Sequence, residues 1–210
     1  MHDDVKQLIA SGYDAIADEF ADWQRGIRGS QRLERLDDLL RRLPLQPDVL
    51  ELGSGAGVRS TRILAERGRL TGVDISGEQV RRARERVPEA RFIHADFMEV
   101  DFAEATFDAV VSFYVLNNLP RDELSPLLER VHRWLRPEGW FLASFPTTDN
   151  PGWRGEWLGV EMFFSGYDAA TTVGLVCESG LEVVEDAVET MIEPDYGEGR
   201  WLWVLARKPD

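Results

Sequence analysis

The chain has 210 residues, 43% of them hydrophobic, enough for one core of ordinary size, and no apolar run approaches the ~18 residues of a membrane span, so it reads as a soluble protein with no membrane partner. Acids outnumber bases 38 to 24, and from Gly155 to Gly199 eleven Asp and Glu stand without a single Lys or Arg, a surface that repels phosphate backbones and argues against nucleic-acid partners. Cys177 is the only cysteine, His2, His94 and His132 are scattered, and no secretory pattern opens the chain, so the expectation is no disulfide, no metal and a cytoplasmic location. The acidic stretch reads either as a solubilising face or as an attraction for a cationic or amine substrate.

In chain order, Val5, Leu8, Ile9, Tyr13, Ile16, Ala17, Phe20 and Trp23 recur at helical spacing, with Gly12 as a candidate break between two helices. A second amphipathic segment, 30–43, carries Leu33, Leu36, Leu39, Leu40 and Leu43 on one side and ends at Pro44 and Pro47. Strand and helix periods then alternate: strand 49–53, helix 57–67, strand 69–74, helix 76–87, strands 91–95 and 107–113, helix 121–135, strand 139–145. A helix over 169–179 precedes strands 181–192 and 200–206, separated by the turn residues Pro194, Asp195, Tyr196 and Gly197. Such alternation predicts a parallel sheet covered on both faces, with ligand at the carboxyl ends of its strands. Trp201 and Trp203 alternate with Leu202 and Val204 and are expected in the core.

Between the first strand and the next helix lies Val49-Leu50-Glu51-Leu52-Gly53-Ser54-Gly55-Ala56-Gly57, and the following apolar run ends at Asp74. Glycines there let backbone approach a ligand where a Cβ would collide. The dinucleotide fingerprint Gly-x-Gly-x-x-Gly fails, because its closing position falls on Val58 or Ser60, which disfavours a nicotinamide dehydrogenase. Glu51, Gly53, Gly55 and Gly57 instead form Glu-x-Gly-x-Gly-x-Gly, which resembles the first motif of class I S-adenosylmethionine-dependent methyltransferases. The resemblance continues through Leu70 to Ser76, His94 to Phe97, Phe107 to Ser112 and Leu135 to Trp140, covering roughly half of the chain.

That resemblance implies a Rossmann-like α/β fold: a mostly parallel seven-stranded sheet with an antiparallel C-terminal hairpin and helices on both faces. The whole chain would form one methyltransferase domain, with residues 1–44 as a helical cap and 147–168 as a substrate lid. It implies S-adenosylmethionine as cofactor. Gly53, Ser54, Gly55 and Gly57 would lie against its aminoacyl end, and Glu51 would accept from its ammonium unless it merely caps a helix. Asp74 would take both ribose hydroxyls, Ile75 would pack on the adenine, Asp96 would accept from the adenine amine unless it is an ordinary turn residue, and Phe97 would cover the ring. Ser112 and Phe113 would sit below the transferred methyl. Tyr13, in Tyr-Asp-x-x-Ala, would touch the methionine moiety unless it is plain core.

For the substrate, candidates are Tyr114 and Asn117 after the fourth strand, and Trp153, Trp157, Phe163 and Tyr167 in a lid rich in aromatics and glycines. Those aromatics also suit a dimer contact or a satellite core. Glu156 and Glu161 are further polar candidates. Ser112-Phe113-Tyr114 stands where enzymes that methylate amides or bases carry Asn/Asp-Pro-Pro-Tyr, which argues against that chemistry. Asn118 stands where many small-molecule members have His, and neither His94 nor His132 makes a convincing base, so no catalytic residue is assigned. The expected activity is methyl transfer to O or N of a small apolar or aromatic molecule by a monomer or homodimer. The alternatives are a non-methylating reaction on the same cofactor, or a cofactor-binding interaction module.

Overall fold

The structure, a computed structural model, describes residues 2–210. Strands with apolar residues on both faces belong inside a parallel sheet, and β1 (Asp48–Leu52) and β4 (Phe107–Ser112) fill its centre, buried along nearly their whole lengths. β2 (Arg69–Asp74) and β3 (Arg91–His94) extend it on one side, and β5 (Leu135–Pro146) on the other. The hairpin of β8 (Glu182–Glu193) and β9 (Gly197–Arg207) completes it, with β9 antiparallel to both β5 and β8. The order is β3-β2-β1-β4-β5-β9-β8, the seven-stranded Rossmann-like sheet with an antiparallel C-terminal hairpin that the family resemblance implies.

Side chains along β1 alternate between two cores, as the period of a strand requires. Leu50 and Leu52 face α6 (Leu124–Trp134) and α7 (Ala169–Glu178), where Leu127, Leu128, Val131, Trp134 and Val176 cover one side of the sheet. Val49 faces Leu36 and Leu39 of α3 (Arg32–Leu40) and Leu64 of α4 (Arg59–Arg67) on the other. α5 (Gly77–Arg86) is started by Ser76, whose hydroxyl accepts from Gln79 N at 3.1 Å. The chain reverses between β1 and β4, since β2 and β3 lie to one side and β5 to the other; this is where an open α/β sheet has its ligand crevice.

Two expectations change in detail. The N-terminal helices, α1 (His2–Ala15) and α2 (Ala17–Gly26), part at Ile16 and not at Gly12. Gly12 is a contact point: a Cβ there would stand 2.8 Å from Met162 Sδ, so its lack of a side chain lets α1 lie directly on the strand beneath. The segment read as a substrate lid, 147–168, holds a second, two-stranded sheet that the sequence reading did not assign, β6 (Asn150–Trp157) and β7 (Val160–Gly166). Its turn is Leu158-Gly159, both with positive φ (50° and 83°), as the tightest hairpins require. β7 packs against α1, so the two form one cover over the crevice. Among the described residues, no helix is long and apolar enough to cross a membrane.

Candidate active site

The loop leaving β1 is folded back by Val73, whose carbonyl accepts from Gly53 N (2.8 Å) and Ser54 N (3.1 Å). Gly55 has φ +53°, and a Cβ built on it would meet no atom within 4 Å: it borders open space in the crevice. Its N–H donates to Asp74 Oδ2 at 2.8 Å, while Oδ1 accepts from Ser76 N at 2.9 Å. The Asp74 carboxylate is thus clamped at the carboxyl end of β2. Burial pushes its pKa up, and the two N–H groups only partly offset this.

Glu51, at the end of β1, is 3% exposed. Oε1 accepts from Thr61 Oγ1 at 3.2 Å, and Oε2 has no partner among the described residues. Burial raises its pKa to about 8, against the opposing pull of Thr61 and of Arg32. The Arg32 guanidinium lies 4.8 Å from the centroid of the Tyr114 ring and 5.9 Å from that of Phe113. It forms no ion pair among the described residues, its Nε is buried without an acceptor, and burial lowers its pKa. An unpartnered carboxylate oxygen and an unpaired guanidinium in mutual electrostatic reach are complementary to the ammonium and carboxylate of an amino acid.

Past Asp74, Ile75 and Phe97 line the same cavity. Asp96 accepts from Met98 N at 2.8 Å and pairs with Lys6 Nζ at 2.7 Å, and Lys6 reaches Glu123 at 2.8 Å. Burial alone would lower the Lys6 pKa, but the two carboxylates hold it above the usual value. Lys6 therefore ties α1 down over this end of the cavity.

The other end is aromatic. Tyr13, Phe20, Trp23, Trp153, Trp157 and Phe164 are linked ring to ring, with centroids 5.1–6.1 Å apart for Tyr13 against Phe20 and Trp157, and 5.2 Å for Trp23 against Trp157. Tyr114, two residues past β4, has φ +60° and is held by its N–H donating to Ser144 Oγ at 2.7 Å, and its ring stands edge-on to Trp201 at 4.8 Å. Tyr13 Oη donates to Asn118 Oδ1 (3.0 Å), and Asn118 Nδ2 donates to the Phe163 carbonyl (2.9 Å), so Asn118 fastens α1 and β7 to the end of β4. The whole forms one cavity of about 550 Å³, within the ordinary range of ligand sites.

Of the residues singled out by sequence, Tyr13, Glu51, Gly53, Ser54, Gly55, Asp74, Ile75, Asp96, Phe97, Phe113, Tyr114, Asn117, Trp153 and Trp157 line this cavity, as does Glu156. Four do not. Gly57 packs against Ala83 and Val87 of α5, and Ser112 is fully buried, donating to the Leu52 carbonyl at 3.1 Å. Phe163 points into a small core with Val5 and Ile9, and Tyr167 packs outside the cavity, with Arg121 5.0 Å from its ring centroid. Glu161 is also outside, and no histidine lines the wall among the described residues. Conversely, Trp201 lines the cavity while Trp203 is core, so the expectation that both are core holds for one. Arg32, Lys6, Phe20, Trp23 and Glu193 also line it. Phe20 and Trp23 carried a signal in their helical stripe, whereas Arg32 is one of 22 arginines and had none.

Residues 49–139 match the family described as methyltransferase domain. A trans-aconitate 2-methyltransferase of Azoarcus sp. (strain BH72) is 35% identical over 130 residues, 59% of this chain and 50% of that protein. One from Enterobacter sp. (strain 638) is 42% identical over 84 residues, 36% of this chain and 33% of that protein; the chain thus spans no more than half the length of these curated relatives. Among solved structures, a Methanosarcina mazei S-adenosylmethionine-dependent methyltransferase superposes with TM-score 0.71 over 80% of this chain and 95% of its own at 18% identity. The 1,6-didemethyltoxoflavin-N1-methyltransferase of Burkholderia thailandensis, with 1,6-didemethyltoxoflavin and S-adenosylhomocysteine bound, does so with TM-score 0.67 over 96% and 91% at 24% identity; these likenesses speak for the fold. Motif order and strand order agree with the match of residues 49–139 to the methyltransferase domain family, and the solved neighbours share the fold.

Proposed function

We propose that the chain transfers a methyl group from S-adenosylmethionine to a nitrogen or oxygen of a small organic molecule. One observation carries this reading: a single cavity joins an end suited to the cofactor, built of Glu51, Gly55, Asp74 and Asp96, to an enclosed aromatic end large enough for a second ligand. The cofactor end passes a test of fit. The orphaned Glu51 Oε2 awaits a donor, and the space beyond Gly55 is open to backbone contact with a ligand.

When bound, S-adenosylmethionine supplies an electrophilic methyl on a sulfonium. The residues of the chain would hold it at both ends: Glu51 and Arg32 take the ammonium and carboxylate, Asp74 the ribose hydroxyls, and Asp96 with Ile75 and Phe97 the adenine. In-line transfer asks chiefly for a nucleophile held about 3 Å from the methyl, and an enclosed aromatic chamber meets that demand by positioning and by excluding water. Transfer would leave the carbon–sulfur electron pair on the sulfur of the departing S-adenosylhomocysteine. α1, α2 and the β6–β7 hairpin act as the lid. The wall has no histidine base, so a protonated acceptor would lose its proton to water or to a carboxylate of the wall.

A small-molecule acceptor is supported further by relatives named for trans-aconitate and by a neighbour bound to a bicyclic heteroaromatic. The test is incubation with methyl-labelled S-adenosylmethionine and a library of small molecules. Label in a product supports transfer, whereas turnover without label points to another reaction on the same cofactor.

A further inference from the structure

The aromatic end of the cavity opens, on the side of β8 and β9, into a second cleft, and six residues line both: Asn117, Asn150, Trp153, Phe164, Glu193 and Trp201. They therefore gather at one seam. Glu193, the last residue of β8, is half-buried there, and its carboxylate has one hydrogen bond among the described residues, from Trp201 Nε1 to Oε1 at 3.3 Å. Its backbone pairs with Gly197, and a Cβ on the diagonal neighbour Gly199 would fall 2.3 Å from Glu193 Oε1, so the carboxylate lies across that glycine. Asn117 Oδ1, on the same seam, is buried and has no partner among the described residues. Two acceptors thus face the seam beside two indoles, while Asn150 Nδ2 is taken up by the Phe164 carbonyl at 3.1 Å.

No Lys or Arg pairs with Glu193 among the described residues. The cations that line the main cavity are Lys6, which is paired with Asp96 and Glu123, and Arg32, which lies within reach of Glu51. Arg200 stands along the outer cleft and forms no ion pair with Glu193 among the described residues. Around the seam the chain is acidic throughout, with no Lys or Arg between Gly155 and Gly199. An ammonium is all donors, pairs with a carboxylate, and is attracted to the face of an indole, whereas a carboxylate ligand would be repelled by Glu193. A half-buried carboxylate without a cation is itself costly, and burial holds the Glu193 pKa above its usual value, so a cationic ligand would supply the missing countercharge.

We propose that Glu193, with Asn117, Trp153 and Trp201, selects a substrate that carries a basic amine on an apolar or aromatic body. The assignment rests on the methyltransferase reading and narrows its acceptor class. It sets this chain apart from an enzyme for a tricarboxylate such as trans-aconitate, whose charges the seam would repel.

The experiment is calorimetric titration of the full chain saturated with S-adenosylhomocysteine, using matched pairs of probes: phenethylamine against 3-phenylpropionate, tryptamine against indole-3-propionate, with trans-aconitate as a further anion. At least one amine should bind tenfold or more tightly than its matched acid, and Glu193→Gln, which keeps the acceptor for Trp201, should erase that preference while leaving S-adenosylhomocysteine affinity within twofold. If no amine outbinds its acid, if trans-aconitate binds best, or if the preference survives in E193Q, the amine assignment is overturned alone. Failure of S-adenosylhomocysteine to bind in the first place overturns the methyltransferase reading and the assignment with it.

Discussion

Burial keeps Glu51 protonated up to about pH 8 in the ligand-free chain, and a bound ammonium would reverse that preference. Cofactor binding below pH 8 is therefore expected to release close to one proton, and affinity to rise as pH increases from 6 to 8, then level off. Calorimetry in buffers of different ionisation enthalpy reads the proton directly, and Glu51→Gln should abolish both effects. The stability consequence has a definite sign. Because the folded pKa is raised, the unfolded chain ionises first, so this residue erodes stability as pH climbs from about 4.5 to about 8 and contributes no further change above. Asp74→Ala removes the acceptors for Gly55 N and Ser76 N as well as those offered to the ribose. Its cost in S-adenosylmethionine binding should be about 1.5–3 kcal/mol, or roughly ten- to 150-fold in Kd, and unchanged affinity would remove Asp74 from the cofactor site.

At the scale of elements, the cover over the site is assembled from parts distant in sequence. α1 is held by the Lys6 pairs at one end, by Gly12 on Met162 in the middle and by Tyr13 on Asn118 at the other. Asn118 is the residue where the family resemblance led one to look for a histidine base, and here both ends of its amide are engaged in structure. Replacing it with Ala removes two hydrogen bonds that fasten α1 and β7. The expected loss is about 1–3 kcal/mol of cover stability, seen as amide exchange in α1 and β7 faster by roughly tenfold or more, with β1 and β4 unaffected. Uniform acceleration across the sheet would mean that the cover and the core open together.

For the molecule as a whole, both faces of the sheet are packed, so ligand binding in the crevice should stabilise the fold by mass action. S-adenosylhomocysteine at a hundred times its Kd would add ~2.7 kcal/mol, which for a chain of this size is roughly 5–10 °C in the thermal midpoint. NADH at the same concentration should leave the midpoint where it is, since the glycine spacing does not suit a dinucleotide. A shift with NADH alone would overturn the cofactor assignment.

What the sequence determined by itself is whatever depends on local pattern. Alternating strand and helix periods, Pro44 and Pro47, and the turn at Pro194 to Gly197 set the order and type of the elements, because backbone sterics and side-chain period act over a few residues. The loop from Glu51 to Gly57 with Asp74 announced the cofactor end for the same reason: its residues sit on consecutive strand ends, where chain order and spatial order coincide. The tertiary structure decided the aromatic end of the cavity. Phe20, Trp23, Trp157, Glu193 and Trp201 come from four elements spread over the chain and meet only because α2, β6, β8 and β9 close on one cavity. It also decided which member of a pair faces the ligand. Trp201 and Trp203 alternate identically in sequence, yet Trp203 is sealed beneath α3 and the sheet, while Trp201, two residues nearer the strand's start, emerges beyond the core to meet Glu193. Burial depends on where a neighbouring element ends, and no local period encodes that.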